Sequence, residues 1–145
     1  MKLNSMHKTA LAIVLMSACM ALASTAAAGV VVVANPAVPG DAVSASDLQK
    51  YYLGKSTSWS DGTSVKPALL TGGPTTDEFL KSYVKKSSSQ FKTFWKKAVF
   101  SGTGTPPEEF GSDADVIKYV AATPGAVGYV AEGSDTAGTK VLTVQ

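Results

Sequence analysis

Phe100-Ser101-Gly102-Thr103-Gly104-Thr105-Pro106-Pro107, followed by Pro124-Gly125-Ala126-Val127-Gly128-Tyr129-Val130, is the pair of stretches on which the fold turns. Glycines, prolines and aromatics in this order constrain a backbone path and bring no nucleophile, acid or metal-binding side chain. The Gly102-x-Gly104 pair lacks the third glycine and the lysine of a nucleotide-binding loop, and it follows a helical pattern rather than a strand. It reads as a turn whose exit Pro106 and Pro107 stiffen, with Phe110 closing over the core.

Before the glycine stretch, Phe91, Phe94, Trp95 and Ala98 recur at i, i+3, i+4 and i+7 after Ser87-Ser88-Ser89-Gln90, which predicts a helix that ends there. Lys92, Lys96 and Lys97 fall mostly off that stripe and read as a solvated face, with an anion-binding patch as the alternative. Upstream, Thr75-Thr76-Asp77-Glu78 has the form of a capping box with Thr75 as N-cap, and Phe79, Leu80, Tyr83 and Val84 supply the stripe behind it. Ser46-Asp47-Leu48-Gln49 has the same form, with Leu48, Tyr51 and Tyr52 as its apolar side and Gly54 as its stop. Ser112-Asp113-Ala114-Asp115 opens a last helix through Val116, Ile117, Val120 and Ala121, ended by Pro124-Gly125.

Between the helices lie β-type runs. Val30 to Ala34 stops at Asn35-Pro36 and predicts a buried strand; Val65 to Leu70 follows the Trp59-Ser60-Asp61-Gly62 turn. Pro67 lacks a donor, so that second strand is expected at an edge or in a short pairing. Ala126 to Val130 is the third strand, and Val141 to Val144 a fourth at an edge. Strands separated by helices predict an α/β fold, an open mixed sheet flanked by helices.

Residues 1–28 differ in kind: Lys2, His7 and Lys8 precede the apolar run Ala10 to Ala23, and Ala26-Ala27-Ala28 closes it. That is the pattern of a secretory signal peptide, with the folded α/β domain expected over 29–145 and the protein periplasmic or secreted. Cys19 within Met16-Ser17-Ala18-Cys19 offers the alternative of a lipoprotein anchored through that cysteine.

His7 and Cys19 are the sole histidine and cysteine, and all 13 basic residues are lysines. A domain over 29–145 therefore has no imidazole, thiolate or disulfide, which removes the commonest catalytic and metal-binding groups. With Lys2 and Lys8 set aside, eleven lysines balance the 11 acidic residues, so no basic footprint for nucleic acid exists. Glu108-Glu109 and the Asp113, Asp115 pair are read as loop and helix-start carboxylates. No enzyme, metal site or cofactor is expected.

One loop retains binding chemistry. Thr71, Gly72, Gly73, Thr75 and Thr76 place hydroxyls and backbone N–H groups at a helix start, where orphan donors and the positive end of the dipole favour an oxyanion. Asp77 and Glu78 set negative charge beside it, so a plain capped helix stands as the alternative.

Leu53-Gly54-Lys55, Trp59-Ser60-Asp61-Gly62, Phe94-Trp95, Phe100 with Gly102, Gly104, Pro106 and Pro107, and Pro124 to Val130 together resemble the phosphate-type periplasmic substrate-binding proteins of ABC transporters. The resemblance runs from about Val30 to Val130 and implies a single lobe of a periplasmic-binding-protein-like receptor. It implies further a ligand such as inorganic phosphate or another oxyanion, and an ABC permease as partner. Matching through Phe79 sets Thr75 where the family has a ligand-binding serine, Asp77 where it has a threonine, and Thr71 near its arginine; this chain has no arginine. The expected function is a secreted oxyanion-binding component of an ABC-type uptake or sensing system. The alternative is a ligand-less interaction module of the envelope, self-associating or docking through surface aromatics such as Trp59 or Tyr52.

Overall fold

A computed structural model of the protein describes residues 29–145, so the signal-peptide, cleavage and Cys19 expectations lie outside the described residues. The elements run β1 (Val30–Ala34), β2 (Ala42–Val43), α1 (Ala45–Tyr52), β3 (Lys66–Leu70), α2 (Pro74–Phe79), a π-helical turn (Leu80–Val84), α3 (Ser88–Ser101), β4 (Glu108–Phe110), α4 (Asp113–Ala122), β5 (Ala126–Ala131) and β6 (Lys140–Val144). The strands form one six-stranded sheet in the order β2-β6-β1-β5-β3-β4. β3 is parallel to β4 and β5, while β1 is antiparallel to β5 and β6, so the sheet is mixed and the fold α/β as expected.

β5 sits at the centre of the sheet, and its alternation shows how both faces are covered. A Cβ on Gly128 would lie 2.8 Å from Val116 and 3.2 Å from Val120, so α4 presses on that face. The next residue, Tyr129, points the other way and stacks on Phe79 at 4.0 Å, with Tyr52 at 6.2 Å. A strand covered on both sides has no polar face, which is why Ala126 to Val130 is buried throughout and reads as a continuous apolar run.

The glycine-proline-aromatic stretches act as packing devices. Gly102 ends α3 in the left-handed conformation, with φ 68°. Gly125, at φ 80°, passes so close to the Ser64 carbonyl that a Cβ would lie 2.0 Å from it, and its own carbonyl accepts the Trp59 indole N–H at 2.9 Å. The indole of Trp95 lies against Gly54 and Gly104 and donates to the Tyr52 carbonyl at 3.0 Å. The motifs that carry the family resemblance thus meet around two indoles.

Several local expectations are corrected. α1 is capped by Ser44, whose Oγ accepts from Asp47 N–H at 3.0 Å, and not by the Ser46 box: Gln49 turns away to donate to the Val84 carbonyl at 3.0 Å. α2 starts at Pro74 with Gly73 as N-cap, so Thr75 is inside the helix and Glu78 accepts from Ser82 Oγ at 2.8 Å instead of closing a box. Proline suits the first helical position because its missing N–H would be unpaired there in any case. β3 is interior and not an edge, but Pro67 lies in the short pairing given as the other possibility: the β3–β5 register spans only Lys66↔Ala126 and Pro67↔Val127, and the β4 register begins at Ala68. β6 is not an edge either, since the two-residue β2 pairs outside it. Both edge strands, β2 and β4, are too short to announce themselves in the sequence. Trp59 and Tyr52, the surface aromatics of the interaction-module alternative, are buried, at 6% and 0% exposure, and Tyr52 faces the core as its place on the apolar side of α1 predicts. The helix start expected at Ser87, by contrast, forms, and it does so as a capping box with Gln90.

Asn35 does more than end β1. Its Nδ2 donates to the carbonyls of Val120 at 2.9 Å and Ala121 at 3.2 Å, and its Oδ1 accepts from Ala37 N–H at 2.9 Å. It therefore caps the C-terminus of α4 from across the sheet. Asn35→Ala is expected to lower stability by about 1–3 kcal/mol in urea denaturation, because buried carbonyls lose their donor. A change below about 0.5 kcal/mol would mean that water satisfies them instead.

Candidate functional site

The loop from Thr71 to Thr76 leaves β3 at its carboxyl end, on the side of the sheet where the parallel strands β4 and β5 also end. Thr71 N–H donates to the Phe110 carbonyl at 3.0 Å, which ties the loop to the end of β4. Gly73 then takes φ 100° at the N-cap, a conformation that side chains resist, and no side chain caps the helix. The first-turn N–H groups of Thr75 and Thr76 are consequently without a capping oxygen.

The five residues singled out in the sequence divide by depth. Thr71, Gly72 and Gly73 are exposed, Thr75 is half-buried, and Thr76 is buried. Thr76 Oγ1 accepts from Tyr129 OH at 2.9 Å and lies 3.4 Å from the carbonyls of Leu70 and Gly72. Tyr129 OH in turn accepts from Leu70 N–H at 3.1 Å. Burial pushes the Tyr129 phenol up to about 12, so it stays neutral and serves as a bolt between β3 and α2. The Thr76 hydroxyl is thus part of the scaffold that holds the loop, while Thr71 and Gly72 are exposed.

The acidic neighbours are engaged elsewhere. Asp77 Oδ1 accepts from Ser88 Oγ at the start of α3, and Glu78 is held by Ser82. Thr71, Gly72 and Thr76 line a small hollow of about 30 Å³ together with Ser88, Lys92 and Glu109. That volume suits one water. The sequence pointed to Thr71 and Gly72, offered Lys92 only within an alternative anion-binding patch on α3, and missed Tyr129 and Ser88. Lys92 reads as one more solvated lysine, and only the packing of α3 beside the loop brings it to the hollow. Two wider, open depressions border α3, one of about 720 Å³ beside Asp77, Lys81 and Lys85 and one of about 360 Å³ beside Trp95, Val99 and Pro106. They are larger, yet the Thr71–Thr76 loop alone combines hydroxyls, uncapped amides and the carboxyl end of a parallel strand, where open α/β sheets bind ligands.

Among the described residues no group of three or more His, Cys, Asp or Glu side chains is placed to hold a metal, and no helix is long and apolar enough to cross a membrane.

Sheet order and helices on both faces define the class as an α/β fold with an open mixed sheet. No family model matches the sequence, and no curated protein does. Solved structures do: over 79% of its length the chain is similar in fold to a protein from Clostridium perfringens described as a phosphate ABC transporter substrate-binding protein with bound phosphate, at TM-score 0.62 and 14% identity. An ABC-type phosphate transport receptor from Vibrio cholerae matches 79% of the chain at TM-score 0.60 and 16% identity. A possible phosphate binding protein from Planctomyces limnophilus matches 80% at TM-score 0.59 and 17% identity. The chain spans less than half of each of these proteins, 44%, 45% and 41% respectively. In fold, then, this protein is similar to part of a phosphate-type substrate-binding protein, and its neighbours are binding proteins rather than enzymes.

Proposed function

We propose that this protein is a non-enzymatic oxyanion receptor lobe, exported by its first 28 residues, that holds phosphate or a related anion at the Thr71–Thr76 loop for an ABC-type uptake or sensing system. The observation that carries the reading is the uncapped start of α2 at the carboxyl end of β3, where Gly73 leaves the first-turn amides without a side-chain partner. Thr71 and Thr75 offer hydroxyls beside those amides, and Lys92 is a cation bordering the loop in a chain without arginine. Tyr129 and Thr76 keep the loop in register from beneath.

Isothermal titration with phosphate and with sulfate tests this. Saturable heat is expected, and Thr71→Glu, an exposed change that adds negative charge at the mouth, is expected to abolish it with the fold intact by circular dichroism. No saturable heat at millimolar anion would overturn receptor function for this chain. A second reading, a scaffold without ligand, is favoured by the small volume of the hollow and by the chain's spanning less than half of its neighbours.

A further inference from the structure

The charge of this chain is unevenly placed. Between Phe79 and Pro107 there are six lysines and no aspartate or glutamate, and among the described residues none of the six forms an ion pair. This stretch contains α3, whose inner side buries Phe91 and Trp95. Its outer side carries Lys92, Lys96 and Phe100 at successive i+4 positions, one above the other on the helix surface. Phe100 is 95% exposed and the adjacent Val99 is 54% exposed. An aromatic ring held in water beside unpaired lysines is not explained by packing, and the anion loop makes no use of it.

We propose that the outer face of α3, from Lys92 to Phe100, docks on an anionic phospholipid surface. The lysines are complementary to the headgroup charge, each contributing attraction on the order of 1 kcal/mol near such a surface. Phe100 protrudes from the helix end rather than lining a groove, so it matches a soft medium that it can enter, the headgroup boundary, better than a rigid protein surface. The same face would bring the Thr71–Thr76 loop close to the membrane, since Lys92 borders both.

Phe100→Trp in the full chain puts an indole at the point of contact, and Lys96 and residue 100 are exposed enough to change without unfolding. Vesicles of phosphatidylglycerol and phosphatidylcholine are expected to shift its emission to the blue, and brominated acyl chains to quench it. Vesicles of phosphatidylcholine alone should do neither, and 0.5 M salt should release the protein. Adding Lys96→Glu, which spares Lys92 beside the Thr71–Thr76 loop, in the same background should weaken partitioning about tenfold. Equal response to neutral vesicles, an unchanged response in the lysine variant, or a blue shift that grows with protein concentration in the absence of lipid would overturn the proposal; the last would assign the face to a second copy of the chain. Phosphate titration of Phe100→Trp keeps this separate from the anion reading, because the two can fail independently.

Discussion

Trp95→Ala lowers the free energy of unfolding by about 3–5 kcal/mol, the range for truncating a buried aromatic to alanine. The indole is 6% exposed, packs against Gly54 and Gly104, and donates to the Tyr52 carbonyl. Removing it leaves a cavity that two glycines cannot fill, and it strips a buried carbonyl of its donor. For a domain whose stability is on the order of 5–15 kcal/mol this is a large fraction. Because Trp95 seats α3 on α1, the positions of Ser88 and Lys92 beside the Thr71–Thr76 loop depend on it, and anion binding should weaken in step. Urea denaturation followed by far-ultraviolet circular dichroism reads the loss; Trp95→Phe, which keeps a ring, should recover part of it. A loss under about 1 kcal/mol would show that the surroundings collapse onto the site.

Alkaline pH destabilises the protein through its buried phenols. In the unfolded chain a tyrosine releases its proton near pH 10. In the folded chain burial holds Tyr129 until about 12, and raises Tyr52 as well, with the neighbouring Tyr129 adding to the rise. The stabilising difference is fully present below pH 10 and is lost as pH climbs from 10 towards 12, where only the unfolded state can ionise. For Tyr129 the total is on the order of 3 kcal/mol, at about 1.4 kcal/mol per unit of pH. Tyr129→Phe tests this cleanly. Near pH 8 the variant should be less stable by about 1–3 kcal/mol, because Leu70 N–H loses its acceptor, and above pH 10 the gap to the parent should close. A gap that stays constant between pH 8 and 12 would show that Tyr129 ionises without unfolding the chain.

Much of the architecture was legible because it depends on local chemistry. The helix start expected at Ser87 to Gln90 forms, there as a capping box, and the Ser112 helix start and the Asp61-Gly62 turn follow in the same way. The errors were also local in origin. The residues put the start of α1 at Ser46 and that of α2 at Thr75, whereas Ser44 and Gly73 are the caps, chosen by what surrounds them. Ser44 wins because Ala45 N–H is pinned to the Gln145 carbonyl, and Gly73 wins because Pro74 opens the helix. Of the candidate loop, the sequence shows the residue types, but the inward turn of Thr76 required knowing that Tyr129 lies beneath it.

The sequence by itself determined the α/β class, the four principal strands, the start of α3 and of α4, and the absence of histidine, cysteine and arginine from 29–145. Each of these is a matter of residue type and of spacing over a few positions. Only the tertiary structure decided that Trp59 is internal while Phe100 is exposed, that Asn35 caps α4, and that Lys92 and Tyr129 lie beside the Thr71–Thr76 loop. These facts join residues far apart in the chain, Asn35 to Val120 and Thr76 to Tyr129 among them. Hydrophobic burial is indifferent to sequence distance, so which aromatic is buried and which is left outside is settled only when the sheet closes between its helices.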